Sequence, residues 1–349
     1  MEERLTVEDL ERLAVELLTP DALAYMTGGA GAERTLRWNR EAFSKWRLRP
    51  RVLVDVSSVS TATRVLGRPV SMPVLVAPTA SQLLFHPDRE LATARATAEA
   101  ETVFCLSTVA TASPAEVAAA TPDGLRWFQL YVFRDRGITE AILAQALESG
   151  FSAVVLTADL PVVGIRDAER RVEWTLADET VPAYLEARAR GAEFDDPLGF
   201  IDPSLDWAYL EDLCSRLPVP VLLKGVLTGD DAELACEHGA AGVIVSNHGG
   251  RQLDGAVASL DALPEVVEAV AGRAEVYLDG GVRRGSDVVT ALALGAHAVL
   301  VGRPVLYGLA LDGEKGVRHV LELFRAETEN ALALLGCPSP AAVTRSHVS

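Results

Sequence analysis

Residues 219–252, VPVLLKGVLTGDDAELACEHGAAGVIVSNHGGRQ, hold one full repeat of the pattern that decides the fold. The runs at 219–223 (VPVLL) and 242–245 (GVIV) are short, valine-rich and almost continuously apolar. Parallel strands read this way, because helices cover both faces of the sheet and neither meets water. Between them, residues 230–238 read as a helix that opens on Asp230 and stops at Gly239. An acidic first turn and a terminal glycine are helix-end chemistry.

The same alternation extends in both directions. Further strands are expected at 73–77 (PVLVA), 103–106 (VFCL), 127–131 (WFQLY), 153–157 (AVVLT), 275–278 (EVYL) and 298–301 (AVLV). Helices are expected at 89–100, 114–120, 138–149, 207–216, 260–271 and 286–294, with Ser113-Pro114 as one start and Gly150 as one stop. Eight alternating βα units imply an α/β fold closed into a (β/α)8 TIM barrel. A doubly wound sheet is the rival, but no G-x-G-x-x-G follows the first strand. The chain reads as a single domain, 1–349. Residues 1–72 form an N-terminal helical extension carrying a turn at 25–31, and residues 73–312 the barrel. Within the barrel, residues 168–204 form a lid insertion after strand 4, and 313–349 are a C-terminal helix and tail.

Bulk properties narrow the function. The 349 residues are 49% hydrophobic and 23% charged, an ordinary globular balance. The net charge of −17, with no basic run, excludes nucleic acid and an anionic membrane as partners. A small anionic substrate stays open, because a site can be locally positive. Cys105, Cys214, Cys236 and Cys337 are scattered, so neither a disulfide framework nor a metal site is expected. The start, MEERLTVEDL, has no apolar core of a signal peptide, no run reaches membrane-spanning length, and the end is not a peroxisomal address. The expected compartment is the cytoplasm.

Barrel enzymes work at the C-terminal ends of their strands. Here every strand end is polar. Pro78-Thr79-Ala80 follow the first strand and Ser107-Thr108 the second, while Gln129 and Tyr131 belong to the third. Thr157-Ala158-Asp159 end the fourth, with Arg166 soon after. Lys224-Gly225 end the fifth, and Ser246-Asn247-His248-Gly249-Gly250-Arg251 the sixth. Asp279-Gly280-Gly281-Val282-Arg283 end the seventh, and Gly302-Arg303 the eighth. The last two loops combine glycines with arginines where barrels often bind phosphate; αβ-turn punctuation is the plain alternative. His248, beside glycines at a strand end, can act as a base near neutral pH, with Asp159 as a candidate partner. Arg251 and Arg166 could grip a carboxylate. Lys224 stays open between a salt-bridged core lysine, a Schiff-base lysine and a cation set against a reduced cofactor.

The ordered set APTA (77–80), WFQLYV (127–132), LTADLP (156–161), LLKGV (222–226), IVSNHGGRQLDG (244–255), LDGGVRRG (278–285) and VGRP (301–304) resembles the FMN-dependent α-hydroxy-acid oxidase/dehydrogenase family. That family includes glycolate, lactate and hydroxymandelate oxidases, and the resemblance runs from about Tyr25 to the C-terminus. It implies FMN as cofactor, a small 2-hydroxy acid and O2 as substrates, and a homotetramer. His248 then resembles the base and Asp159 its partner. Tyr25, Arg166 and Arg251 resemble the carboxylate ligands, and Tyr131 the group that hydrogen-bonds the substrate oxygen. Lys224 resembles the lysine that stabilises negative charge on the reduced flavin. Thr79, Ala80, Ser107, Gln129, Thr157 and Ser246 resemble flavin contacts, and Asp279 the ribityl ligand. Gly281, Arg283, Gly302 and Arg303 resemble the phosphate site.

The implied reaction moves a proton to His248 and two electrons to FMN, releases an (S)-2-hydroxy acid as its 2-oxo acid, and reduces O2 to H2O2. One departure stands out. Glycolate and lactate oxidases carry an aromatic residue where this chain has Val109, whereas hydroxymandelate oxidase is similar to it there and at 84–87 (LFHP). A wider side-chain pocket and a substrate bulkier than lactate, or aryl, follow, unless the insertion refills the space. The alternatives are a same-family dehydrogenase using a quinone or other acceptor and, in another class, an FMN-barrel isomerase or a non-redox lyase using Lys224.

Overall fold

The computed structural model describes residues 4–172 and 201–349. Three helices open the chain: α1 (Val7–Leu17), α2 (Pro20–Thr27) and α3 (Arg34–Ser44). Thr6 caps α1 by accepting the Asp9 N–H, and Pro20 sits at the first position of α2, where a missing N–H costs nothing. An antiparallel hairpin follows, β1 (Thr63–Val65) and β2 (Arg68–Val70). Its two-residue turn has positive φ at Leu66 and Gly67, which matches the twist of the strands it joins. The expectation of a helical extension over 1–72 makes no provision for this hairpin.

The eight expected strands are all present. They are β3 (Val74–Val76), β4 (Val103–Ser107), β5 (Leu125–Leu130), β6 (Val154–Thr157), β7 (Val221–Val226), β8 (Gly242–Val245), β9 (Glu275–Asp279) and β10 (Ala298–Val301). All pair in parallel, and β10 returns to β3 to close the barrel. Around them lie α4 (Arg89–Glu99), α5 (Pro114–Ala120), α6 (Arg136–Glu148), the short α7 (Asp167–Arg171), α8 (Trp207–Arg216), α9 (Gly229–Glu237), α10 (Ser259–Val270), α11 (Gly285–Ala293) and α12 (Arg303–Leu335). Ser113 and Glu116 form a reciprocal capping box on α5. Asp312 and Gly313 kink α12 with non-helical dihedrals.

The two faces of each strand fill two cores. In β3, Leu75 points into the barrel while Val74 and Val76 face the helices. The interior is filled by Leu75, Cys105, Trp127, Val155, Leu222, Ile244, Tyr277 and Leu300, roughly one side chain per strand, and is therefore solid. The hairpin contributes Val65 and Val70 to the same cluster, and the Leu66 N–H donates to the Glu275 carboxylate at the start of β9. The hairpin thus plugs the end where the strands begin and leaves the opposite end for chemistry. The expected lid, 168–204, falls mostly on 173–200, outside the described residues. Its base, α7, is described, and the chain re-enters where Asp202 N–H donates to Val132 O at 2.8 Å.

Candidate active site

A cavity opens among the strand ends, running from Thr79 and Arg303 to Arg166. Its floor depends on an irregularity in β7, where the register shifts between Lys224 and Val226. Gly225 sits there at φ +109, and a Cβ on it would lie 2.6 Å from Asp159 Cβ. Only glycine lets Asp159 come this close. Lys224 Nζ lies 3.1 Å from Asp279 Oδ2 and donates to Ser246 Oγ at 2.9 Å. Ser246 Oγ also accepts the His248 N–H at 3.0 Å. One lysine therefore ties the ends of β7, β8 and β9 together.

His248 has a left-handed φ of +59, which costs a residue other than glycine on the order of 1 kcal/mol and must be enforced by its surroundings. An amide pair enforces it. Asn39 Nδ2 donates to Asn247 Oδ1 at 2.7 Å, and Asn247 Nδ2 donates back to Asn39 Oδ1 at 2.7 Å. Asn247 Oδ1 also accepts the Gly250 N–H at 3.0 Å. So α3 buttresses the loop that carries His248, a contact nothing in the sequence pattern announces.

His248 Nδ1 lies 2.9 Å from Asp159 Oδ1. An ionised carboxylate only accepts, so Nδ1 bears the proton and Nε2 keeps its lone pair. Nε2 faces the cavity, 3.4 Å from Tyr131 Oη. Burial lowers the His248 pKa below its ordinary value; Asp159 opposes this, and Lys224 and Arg166 add to it. Burial pushes Asp159 upward, yet His248 and Lys224 prevail and hold it below the usual carboxylate range. Tyr131 is raised by burial and by Asp159, so its phenol stays protonated. For Lys224, burial is outweighed by Asp279 and Asp159, and its pKa rises. Paired with Asp279 and bonded to Ser246, Lys224 fits the reading of a salt-bridged buried cation rather than that of a free Schiff-base amine.

Across the cavity, Arg251 stacks over the Tyr25 ring at 4.8 Å from its centroid. Its Nη1 donates to Tyr25 O at 2.6 Å and Gly28 O at 3.0 Å, and its Nη2 to Glu169 Oε1 at 2.8 Å. Arg166 Nε donates to Arg251 O at 3.2 Å. Burial and the neighbouring Arg251 charge lower the Arg166 pKa. Glu169, which touches both arginines, is absent from the sequence-based candidates; only its i+3 spacing from Arg166 hints at it. Val109, Ala80 and Leu160 line the apolar flank.

At the far end, Gly281 has φ +85, and a Cβ there would lie 2.0 Å from Asn39 O. Packing against α3 alone therefore demands glycine. Arg283 Nε and Asp279 Oδ1 are buried without a partner. Arg303 is placed otherwise than a simple anion ligand. Its Nε, Nη1 and Nη2 donate to Met26 O, Gly249 O and Gly28 O at 2.8, 2.9 and 3.0 Å. Burial, then Arg251, push its pKa down to about 10, so it stays charged. Gly302 and Arg303 open α12, whose N-terminus faces the cavity. Four expected residues stand behind the wall. Asp159 backs His248, and Ser246 backs Lys224. Gln129 Oε1 accepts from Ser107 Oγ at 3.1 Å, and Gln129 Nε2 donates to Thr157 Oγ1 at 3.1 Å. Thr79 Oγ1 accepts from Gln82 Nε2 at 2.9 Å.

Comparison with known proteins adds four findings. The family model described as FMN-dependent dehydrogenase matches residues 14–349. An L-lactate oxidase of Nostoc sp. is 49% identical over 94% of this chain and 93% of its own length. Glycolate oxidase 3 of Arabidopsis thaliana is 47% identical over 98% and 95%. The crystal structure of a mandelate oxidase superposes with a TM-score of 0.92 at 40% identity, covering 99% of this chain and 98% of that one.

Proposed function

Because the chain belongs to the family of FMN-dependent dehydrogenases, we propose that it oxidises an (S)-2-hydroxy acid to the 2-oxo acid, with O2 reduced to H2O2. The protein is an oxidoreductase and its cofactor is FMN. The residues fit that group. Asp279 Oδ1 and Arg283 Nε are buried and unpartnered beside the cavity, an acceptor for a ribityl hydroxyl and a donor for a phosphate. The N-terminus of α12 adds the positive end of a helix dipole. In this reading Thr79, Ala80 and Ser107 face the flavin ring, and Gln129, Thr157 and Ser246 back that wall. Asp279 takes the ribityl chain, and Gly281, Arg283, Gly302 and Arg303 take the phosphate end. The Arg303 side chain contributes charge rather than free donors.

The observation that carries the proposal is the His248–Asp159 pair at 2.9 Å, with Nε2 open to a cavity that also holds Tyr131, Arg166 and Arg251. Tyr25, Arg166 and Arg251 bind and orient the substrate carboxylate. Tyr131 steadies the 2-oxygen. His248 Nε2 takes a proton from the substrate, and Asp159 stabilises the imidazolium that results. FMN, when bound, supplies the two-electron acceptor. Lys224 sets a fixed positive charge where electron density accumulates. In balance, the acid loses two electrons and two protons and O2 gains both. Val109 supports a side chain of lactate size or larger, including an aryl group.

The test is anaerobic addition of glycolate, L-lactate and (S)-mandelate to the yellow protein. Bleaching by one acid, with rapid recovery and H2O2 on admitting air, is the expected result. Bleaching with slow recovery would replace O2 by another acceptor. We further propose a cytoplasmic homotetramer. All four cysteines are free, and no helix among the described residues is long and apolar enough to cross a membrane. The tetramer rests on the family resemblance and is read by sedimentation.

A further inference from the structure

We infer that Glu169 is a positioning residue of the carboxylate clamp: its carboxylate bridges Arg166 and Arg251 and holds both guanidinium groups facing the substrate. The inference rests on the reading of Arg166 and Arg251 as that clamp. Arg166 is buried and Arg251 partly buried beside it, and the backbone carbonyl of Arg251 accepts from the Arg166 side chain at 3.2 Å. Two like charges held so close repel unless an anion lies between them. Among the described residues Glu169 is the one acid within ion-pair distance of either, 2.8 Å from Arg251 Nη2 and 3.4 Å from Arg166 Nη1.

The helical turn of α7 produces the bridge, because Arg166 is the N-cap and Glu169 lies one turn on. Arg251 Nη1 is already committed to the Tyr25 and Gly28 carbonyls. The bond from Nη2 to Glu169 therefore fixes the remaining rotation of the guanidinium plane. The charges also close: two arginines and one glutamate leave a net of +1, which one substrate carboxylate neutralises. No described acid besides Glu169 supplies that balance.

The test compares the wild-type holoenzyme with Glu169→Gln, Glu169→Asp and, as a control on the clamp itself, Arg251→Lys. Each is followed by steady-state kinetics and by titration of the 2-oxo acid product through flavin absorbance. Glutamine keeps the size and one acceptor but removes the charge. KM and the product Kd should rise together by about tenfold or more in Glu169→Gln, with kcat changed less and FMN content unchanged. Glu169→Asp should recover part of the loss. Tighter binding in Glu169→Gln would make Glu169 a competitor of the substrate and overturn the inference. So would an unchanged KM with only a lowered melting temperature. If Arg251→Lys leaves KM unchanged, the clamp reading itself fails. If Arg251→Lys raises KM while Glu169→Gln does not, only the role of Glu169 fails.

Discussion

His248 combines three constraints that meet in no other side chain of the cavity. It sits at left-handed φ, it donates to a partly buried carboxylate, and its second nitrogen faces the cavity. Replacing it with glutamine should lower kcat/KM by about 10^3-fold, the scale of general-base catalysis, without loss of FMN; stopped-flow bleaching reads this directly. The base works only when neutral, so activity rises with pH through its pKa and then levels. Burial depresses that pKa, which sets the midpoint of the acid limb of kcat/KM below the ordinary histidine value of about 6.5. Asp159 raises the His248 pKa. Asp159→Asn should therefore move the acid limb to still lower pH while the plateau falls, and a shift to higher pH would contradict the assignment. His248, Arg251, Asp159 and Lys224 were legible because strand ends in a barrel announce themselves by sequence position. Glu169 and Asn39 were not, because their roles come from partners 82 and 208 residues away. A lone acid after an arginine, or an asparagine in a helix, has the same local appearance whether it is buried or solvated.

Elements carry the next set of consequences. Helix α3 sits between two loops of the site: the Asn39 side chain braces the His248 loop, and the Asn39 carbonyl occupies the space where a Gly281 side chain would be. Asn39→Ala leaves the Asn247 amide underused in a buried place, and should cost about 1–3 kcal/mol of stability together with a lowered kcat. Gly281→Ala should be worse. The added carbon must push α3 away and also occupy a φ that disfavours it. FMN retention on gel filtration should fall in that variant even where the protein stays folded. The barrel strands were readable from apolar runs because double-sided burial leaves a direct mark on composition. The hairpin β1–β2 left none. Its strands are three residues long and its turn is Leu-Gly, where the recognisable signal is Asn-Gly or Asp-Gly. The expected lid belongs mostly to 173–200, where nothing is described.

At the scale of the whole molecule, the cavity joins parts from both ends of the chain. Tyr25 and Gly28 come from the N-terminal extension, and Arg303 from the start of the last long helix grips Met26 and Gly28. Arg303→Ala would take the donor from the Met26 and Gly249 carbonyls and leave the Gly28 carbonyl to Arg251 alone. It should detach the extension from the barrel, lower the melting temperature and raise KM together, because Tyr25 and the Arg251 anchor move with it. Added FMN should raise the melting temperature of the apoprotein in proportion to ln(1 + [FMN]/Kd), and less so in this variant.

Closure of the barrel by β10 on β3 also bears on how the protein is made. The partners Val74 and Val299 lie far apart in sequence, so the ring cannot shut until the ribosome has delivered nearly the whole chain. Gly302 and Arg303, at the end of the cavity proposed to take the phosphate, follow immediately after that closing strand. The flavin is therefore acquired at the end of synthesis or after it. During translation the half-built barrel exposes valine-rich strand edges with no cofactor to cover them, which is the stage at which it is most open to pairing with another chain.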